Sequence, residues 1–386
     1  MTTIPLLRNS ERGDFKRCPW LWEQSWLKGL TTSRVPTWAW FGLAIHKGLE
    51  VRYPVGDKRG SVADMIDAFV EACENETRKI YSEGGEFEED EVVDGIELGK
   101  AMLLGYVEEY GEDKQWTVLH SEQSFQIDVP HPNDPNRVIV VQAGTWDAVV
   151  YDKTTKMFWV VDHKTRKSFP SNWDFYDIND QAGTYLWVAP EVLTHMGVLT
   201  KKEAKRIRGL IFNALRKHLP DERPIGPDGQ RHNNPKKEHF YEALKSHYDF
   251  PNPARLPTIA VLKEMAEESG ITVWGDVSAR QPAPLFHRQE VERSLEERVK
   301  QGQRVQAEAL WMEQVRNGTL PAFKTPSEDC VRCIMFEYCQ ADEYDYEEGQ
   351  ELAKAILRHR DPYRDHREAM ESNGVEVHIK AKKKGK

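Results

Sequence analysis

The stretch Val160-Val161-Asp162-His163-Lys164-Thr165 decides how this chain is read. Side chains alternate along a strand, so Asp162 and Lys164 share a face with Phe158 and Val160. That face begins apolar and ends in two opposite charges. A buried charge is costly unless it is paired or bound to a metal. An inward carboxylate followed by an inward lysine therefore points to chemistry.

Upstream, β-branched residues and alternation predict strands from Trp116 to Val129, from Val138 to Tyr151 and from Met157 to Lys164. The loop Asp152-Lys153-Thr154-Thr155-Lys156 joins the last two. Two registers are open. Tyr151 opposite Lys156 puts Asp162 diagonal to Asp147, and a two-residue loop puts the two carboxylates face to face. Either way Asp147, Asp162 and Lys164 stay within roughly 5–8 Å, close enough to share one cation. Hard divalent ions take one or two carboxylates and leave room for water and phosphate oxygens. The His163 carbonyl offers a further ligand. Lys164 would orient or deprotonate an attacking water, or neutralise charge on a phosphate.

Helical spacing surrounds these strands. One helix spans 10 to 28, with Phe15, Cys18, Leu21, Trp22 and Trp26 on one stripe. Others hold Phe41, Ile45, His46 and Leu49, then Ser61 to Tyr81, then Ile96 to Tyr110. After the strands come a helix at 172–189, a strand from Ile207 to Leu215 and a long charged helix from Val291 to Val315. This order predicts an α/β fold. Residues 1–217 would form the N-terminal helices and core sheet, and 218–285, rich in Pro, Gly and Asn, an insertion or mobile region. Residues 286–345 would close the domain, and 346–386 would be a charged tail.

Composition narrows the class. The 386 residues carry a net charge of −10 and 39% apolar residues, which excludes fibrous and wholly disordered chains. No apolar run reaches the ~18 residues of a membrane helix, and Met1 to Ser10 lack a secretory pattern, so a cytoplasmic protein without membrane contact is expected. Acidic balance disfavours indiscriminate nucleic-acid binding. Two local basic clusters, Lys201–Arg208 and the tail lysines Lys380, Lys382, Lys383, Lys384 and Lys386, could meet DNA or simply be solvated.

Five cysteines are too few for a disulfide scaffold. Cys330-x2-Cys333-x5-Cys339 forms a compact trio in want of a fourth ligand. Cys73 lies on an apolar helical stripe and reads as core, which leaves Cys18, just before Pro19. Four thiolates suit zinc or an iron–sulfur cluster, although paired Cys-x2–4-Cys knuckles, the usual zinc pattern, are absent. Gln181 and Tyr185 sit four apart, on one helical face. His46 follows Gly42 by one turn, where a missing side chain would allow close backbone approach. Glu122 is either a further acid or a solvent-facing strand residue.

Taken in order, Cys18-Pro19, Gly42…His46, Glu122, Gly144-x2-Asp147, Asp162-His163-Lys164, Gln181-x3-Tyr185 and the cysteine trio resemble the RecB-type branch of the PD-(D/E)xK nuclease superfamily. More narrowly, the set is similar to the iron–sulfur exonucleases, which include the AddB nuclease domain, CRISPR-associated iron–sulfur nucleases and phage-encoded members. The resemblance implies a restriction-endonuclease-like core: a central mixed sheet flanked by helices, with a cluster tying the N- and C-terminal segments. It implies that His46, Asp147, Asp162 and the His163 carbonyl hold Mg²⁺ or Mn²⁺. Lys164 would be catalytic, with Gln181 and Tyr185 supporting the site and DNA. Cys18, Cys330, Cys333 and Cys339 would hold a [4Fe–4S] cluster.

The expected activity is a metal-dependent DNA exonuclease acting on single-stranded or linear duplex ends, in phage or bacterial recombination, repair or replication, with partner proteins from those processes. A non-catalytic end-binding scaffold and an endonuclease trimming DNA for CRISPR spacer capture are the alternatives. Retention of Asp147, Asp162 and Lys164 together favours catalysis over the scaffold. Trp20, Trp22 and Trp173 are candidates for stacking on bases.

Overall fold

Long β-branched runs from 116 to 166 build three successive antiparallel strands, and everything else packs around them. The structure, a computed structural model, describes residues 4–252 and 255–378. The tail lysines from Lys380 onward lie outside the described residues. The strands are β1 (Leu6–Leu7), β2 (Leu30–Thr32), β3 (Trp116–His131), β4 (Asp134–Asp152), β5 (Met157–Arg166), β6 (Ile207–Arg216), β7 (Phe286–Glu292), β8 (Leu357–His359) and β9 (Val375–Val377).

The main sheet runs β7-β6-β5-β4-β3-β9, with β1 added parallel to β4 at Leu6↔Val141. It is mixed: β1/β4, β5/β6 and β3/β9 are parallel, and the remaining neighbours antiparallel. A parallel pair needs a crossover, and the helix Asp180–His195 supplies it between β5 and β6. The β4/β5 register pairs Tyr151 with Phe158 and Ala148 with Val161. This overturns the pairing of Tyr151 with Lys156 and follows the other register, in which Asp147 falls opposite Asp162. Lys156 takes a left-handed φ of 59° and belongs to the turn, which spans 153–156 in place of 152–155.

Alternation along β5 feeds two cores. Phe158 and Val160 pack with Trp146, Tyr185, Leu186 and Phe212 beneath the crossover helix. Trp159 and Val161 pack on the other face, under the helices Trp38–Arg52, Val62–Ser82 and Glu89–Tyr110. Cys73 is fully buried there, and burial pushes its thiol up to about 12. A third cluster joins Phe15 and Trp22 to Val305, Ala309 and Met312 of the helix Leu295–Arg316.

Several elements differ from expectation. The N-terminal helix breaks at Cys18, whose extended backbone (φ −163°) precedes Pro19. The helix Asn9–Arg17 ends there, and a short helix plus a π turn continue to Leu27. Val291 lies in edge strand β7, not in a helix, and the helix starts only at Leu295, capped by Ser294. The stretch 346–377, read as a charged tail, is folded. It forms the helices Tyr346–Ile356 and Arg364–Asn373 with β8 and β9, and buries His366 and Val377. Its high charge hides those few inward positions.

The chain divides into two compact units, one of residues 1–218 with 286–386 and one of residues 219–285. The smaller unit has its own core of Phe240, Leu244, Leu262 and Ala266, formed where its two helices pack. Among the described residues, no helix is long and apolar enough to cross a membrane.

Candidate active site

Two strands part company at the centre of the sheet. The last β4/β5 pair is Ala148↔Val161, after which β4 stays with β3 while β5 stays with β6 as far as Arg166. The fork frees the backbone N–H of His163. The Asp147 carboxylate accepts it through Oδ2, so the side chain replaces the lost strand partner. The other oxygen, Oδ1, lies 3.0 Å from Nδ1 of His46 on the helix Trp38–Arg52.

Glu122 completes this corner. It interrupts the ladder between Ser121↔Ala148 and Gln123↔Trp146 and takes a left-handed φ of 47°. Such backbone is uncommon outside glycine and concentrates at functional sites. The helix–β9 junction braces it: Asn373 Nδ2 donates to the Glu122 carbonyl at 2.5 Å, and Gln123 Nε2 donates to the Asn373 carbonyl at 2.7 Å. Among the described residues, His46, Glu122 and Asp147 are the only three His, Cys, Asp or Glu residues whose donor atoms gather within 4.8 Å. The ligand set expected from the sequence comprises His46, Asp147, Asp162 and the His163 carbonyl but not Glu122.

Asp162 approaches from the opposite prong. Its Oδ1 accepts from Gln181 Nε2 at 2.9 Å, and its Oδ2 lies 2.5 Å from Lys164 Nζ. Gln181 Nε2 also lies 3.3 Å from the Tyr185 hydroxyl, which donates to the Thr145 carbonyl of β4 at 2.7 Å. Gln181 and Tyr185 therefore tie the crossover helix to both prongs. Gly144 makes this possible, since a Cβ there would meet Phe125 Cζ at 2.6 Å and Tyr185 Cε1 at 3.2 Å. Gly42 has no such role: a Cβ there would meet only Thr165 Oγ1, at 3.5 Å.

The carboxylates are electrostatically crowded. Burial and the Asp147 charge raise Glu122 to about 8. Burial also raises Asp162, with Lys164 opposing and Asp147 adding to the rise. Asp147 moves the other way: burial would raise it, but His46 and then His163 hold it below the usual carboxylate range. Burial would lower His46, but Asp147 overrides it and lifts the imidazole to about 9. Glu122 Oε1 is buried without a hydrogen-bond partner. An orphaned carboxylate oxygen amid hard oxygen and imidazole donors fits a divalent cation such as Mg²⁺ or Mn²⁺.

His163 points to the other face and anchors β5. Its Nδ1 lies 2.8 Å from Asn213 Nδ2, which also donates to Tyr106 OH at 3.0 Å. Behind it Arg288 donates to Asp113 at 2.7 and 2.6 Å, to Tyr106 OH at 2.7 Å and to Asn213 Oδ1 at 3.3 Å. Burial depresses the His163 imidazole to about 3, so the ring is neutral.

Cys18, Cys330, Cys333 and Cys339 line one cavity of about 500 Å³ beside Trp20 and Leu21. All four are free and partly exposed. Since no three of their sulfurs gather within 4.8 Å, they are spread more widely than the ~3.8 Å separations of a tetrahedral zinc site with ~2.3 Å bonds. The proposed base-stacking tryptophans do not suit their role. Trp22 is fully buried and Trp20 is 9% exposed in the cores, and Trp173 already stacks on His287 at 4.1 Å. The basic run Lys201–Arg208 leads into the start of β6, beside Phe158 and at the opposite end of β5 from Lys164.

Comparison with known proteins agrees with this geometry. No curated protein matches the chain. One family model does, over residues 10–340, and it is described as the PD-(D/E)XK nuclease superfamily. Its span takes in the fork, the crossover helix and all four clustered cysteines, and the chain belongs to the PD-(D/E)XK nuclease superfamily.

Proposed function

We propose that this protein is a Mg²⁺- or Mn²⁺-dependent deoxyribonuclease that degrades DNA from its ends. The observation that carries the reading is the convergence of His46, Glu122, Asp147, Asp162 and Lys164 at the β4/β5 fork. His46, Glu122 and Asp147 would hold the cation, with Asp162 and the His163 carbonyl as further ligands. When bound, the cation supplies Lewis acidity for hydrolysis of a phosphodiester.

The chain's own groups do the rest. The Lys164 ammonium is 27% exposed and lines a cavity of about 420 Å³ with Arg8, Gly144 and Gln181. It places positive charge where negative charge grows on the phosphate. Gln181 fixes the orientation of Asp162. Burial pushes the Tyr185 phenol far above its ordinary pKa, so it remains a donor and locks Gln181 against β4.

The choice of exonuclease, acting in the cytoplasm on phage or bacterial DNA, rests on the motif resemblance. So does a [4Fe–4S] cluster on Cys18, Cys330, Cys333 and Cys339, with a structural role. The cavity that all four cysteines line supports that cofactor.

The test is digestion of end-labelled linear DNA beside covalently closed circular DNA, with Mg²⁺, Mn²⁺ or EDTA, using anaerobically purified protein. Metal-dependent loss of linear DNA alone is expected. Cleavage of the closed circle would replace the exonuclease with an endonuclease. No cleavage by iron-loaded protein would leave an end-binding scaffold.

A further inference from the structure

The catalytic cavity does not end at Lys164. It shares Arg8 and Ser10 with a second groove of about 510 Å³ that continues to Arg17, Arg360 and Arg332. We propose that Arg8 and Arg360 bind backbone phosphates of the DNA strand that leads into the catalytic cavity. The proposal rests on the nuclease reading for the identity of the strand.

The charge pattern carries it. Arg17, Lys79, Arg332, Arg358 and Arg364 along the groove each pair with an Asp or Glu. Among the described residues, Arg8 and Arg360 pair with none. The Arg8 guanidinium reaches the carbonyl of Pro362 at 3.4 Å, which brings it to the segment that carries Arg360. The acids whose charge Arg360 feels, Asp14 and Asp365, are already bridged to Arg17 and Lys79. Two neighbouring cations that form no ion pair, because the acids near them are bridged elsewhere, are a place for an anion. The groove's continuity with Lys164 and Gln181 makes a phosphodiester chain the anion that fits.

The fold holds this pair deliberately in register. Arg360 directly follows β8, which pairs antiparallel with β2, and its backbone N–H donates to the Gly29 carbonyl at 2.7 Å. Gly29 has φ 64°, and a Cβ there would meet the Arg360 carbonyl oxygen at 2.5 Å. Both arginines lie outside residues 10–340, the span that the family model matches.

The experiment is equilibrium binding of a fluorescent single-stranded oligonucleotide to the full chain in EDTA, across about 0.05–0.2 M NaCl. Arg8→Gln and Arg360→Gln should each weaken binding several-fold. Each should also lower the slope of log Kd against log salt by ~0.7, the value for one single-strand phosphate contact. Arg360→Lys should restore most of the slope. Exposed Arg360 keeps the test open if Arg8→Gln fails to fold. Folded variants with unchanged affinity and slope overturn the site, as does a wild type that binds no DNA. Arginine-dependent binding by a wild type that cleaves nothing in Mg²⁺ or Mn²⁺ retains the site and removes the nuclease reading. Cleavage by wild type with binding indifferent to both arginines removes the site alone.

Discussion

Gln181 Nε2 donates to Asp162 Oδ1 at 2.9 Å across the gap between the crossover helix and β5. This bond orients a carboxylate that burial and its neighbours leave poorly stabilised. Groups that orient a metal ligand typically contribute 10–100-fold to affinity or activity. Gln181→Ala should therefore lower cleavage by about 10–100-fold and raise the Mn²⁺ concentration needed for half-maximal rate. Tyr185→Phe should act in the same direction, since it removes the donor to Thr145. Full activity in both variants would show that the bracing is incidental.

Asp162 carries a different expectation. Its charge is disfavoured by burial and by Asp147, so Asp162→Asn should not lower the melting temperature. Cleavage should fall by more than about 100-fold, in keeping with loss of a carboxylate that helps hold the cation acting on the phosphate. Function and stability would then oppose each other at this residue. Retained metal-dependent cleavage in Asp162→Asn would remove it from the active centre.

Metal binding should appear as stability. A cation held by His46, Glu122 and Asp147 binds only the folded state and stabilises it by ~2.7 kcal/mol at a hundredfold excess over Kd. Mn²⁺ should raise the melting temperature of wild type and leave Asp147→Asn unmoved. Glu122→Gln separates the two ligand sets. If Glu122 is a ligand, its Mn²⁺ shift shrinks and cleavage demands more metal. An undiminished shift in Glu122→Gln would restrict the site to the ligands read from sequence.

Glu122 also shows where sequence reading stops. Asp147, Asp162, Lys164, Gln181 and Tyr185 were legible because strand alternation and helical spacing place them by counting. Glu122 sits in the same kind of strand, but its left-handed backbone turns it out of the alternation, and its brace, Asn373, lies 251 residues away. Edge strand β7 was missed because it pairs on one side only and buries just Val291 fully. Its polar alternation merged with the charged helix that follows. Trp20 and Trp22 misled for the opposite reason. Aromatic residues suit both stacking and packing, and here the N-terminal helices bury them.

The cysteines offer a test that separates cofactor from core. Cys333→Ala should lose iron and colour and lower the melting temperature, since a ligated cluster would tie residue 18 to residues 330–339. Cys73→Ala should keep its iron and lose only the packing of one small buried side chain, about 1 kcal/mol. Equal iron content and melting temperature in Cys333→Ala and wild type would leave the cavity without a cluster. Zinc in place of iron would change the cofactor and keep the ligands.

Asp113 and Arg288 give a pH signature independent of the metal. Asp113 is 5% exposed and accepts from Arg288 at 2.7 and 2.6 Å and from Tyr53. Burial would raise its pKa, but the bonds and charge of Arg288 win and hold it below the ordinary value. A depressed folded-state pKa stabilises above the unfolded value of ~3.9 and stops stabilising as pH falls through the folded value. Asp113→Asn should cost about 3–5 kcal/mol near neutrality, because Arg288 is left buried without its anion. The gap between wild type and Asp113→Asn should narrow steadily as pH drops below ~4, where wild type gives up the same interaction. Urea unfolding of both proteins from pH 7 to pH 3 measures it. A gap that stays constant with pH would mean that Asp113 contributes by shape and hydrogen bonding and not by its charge.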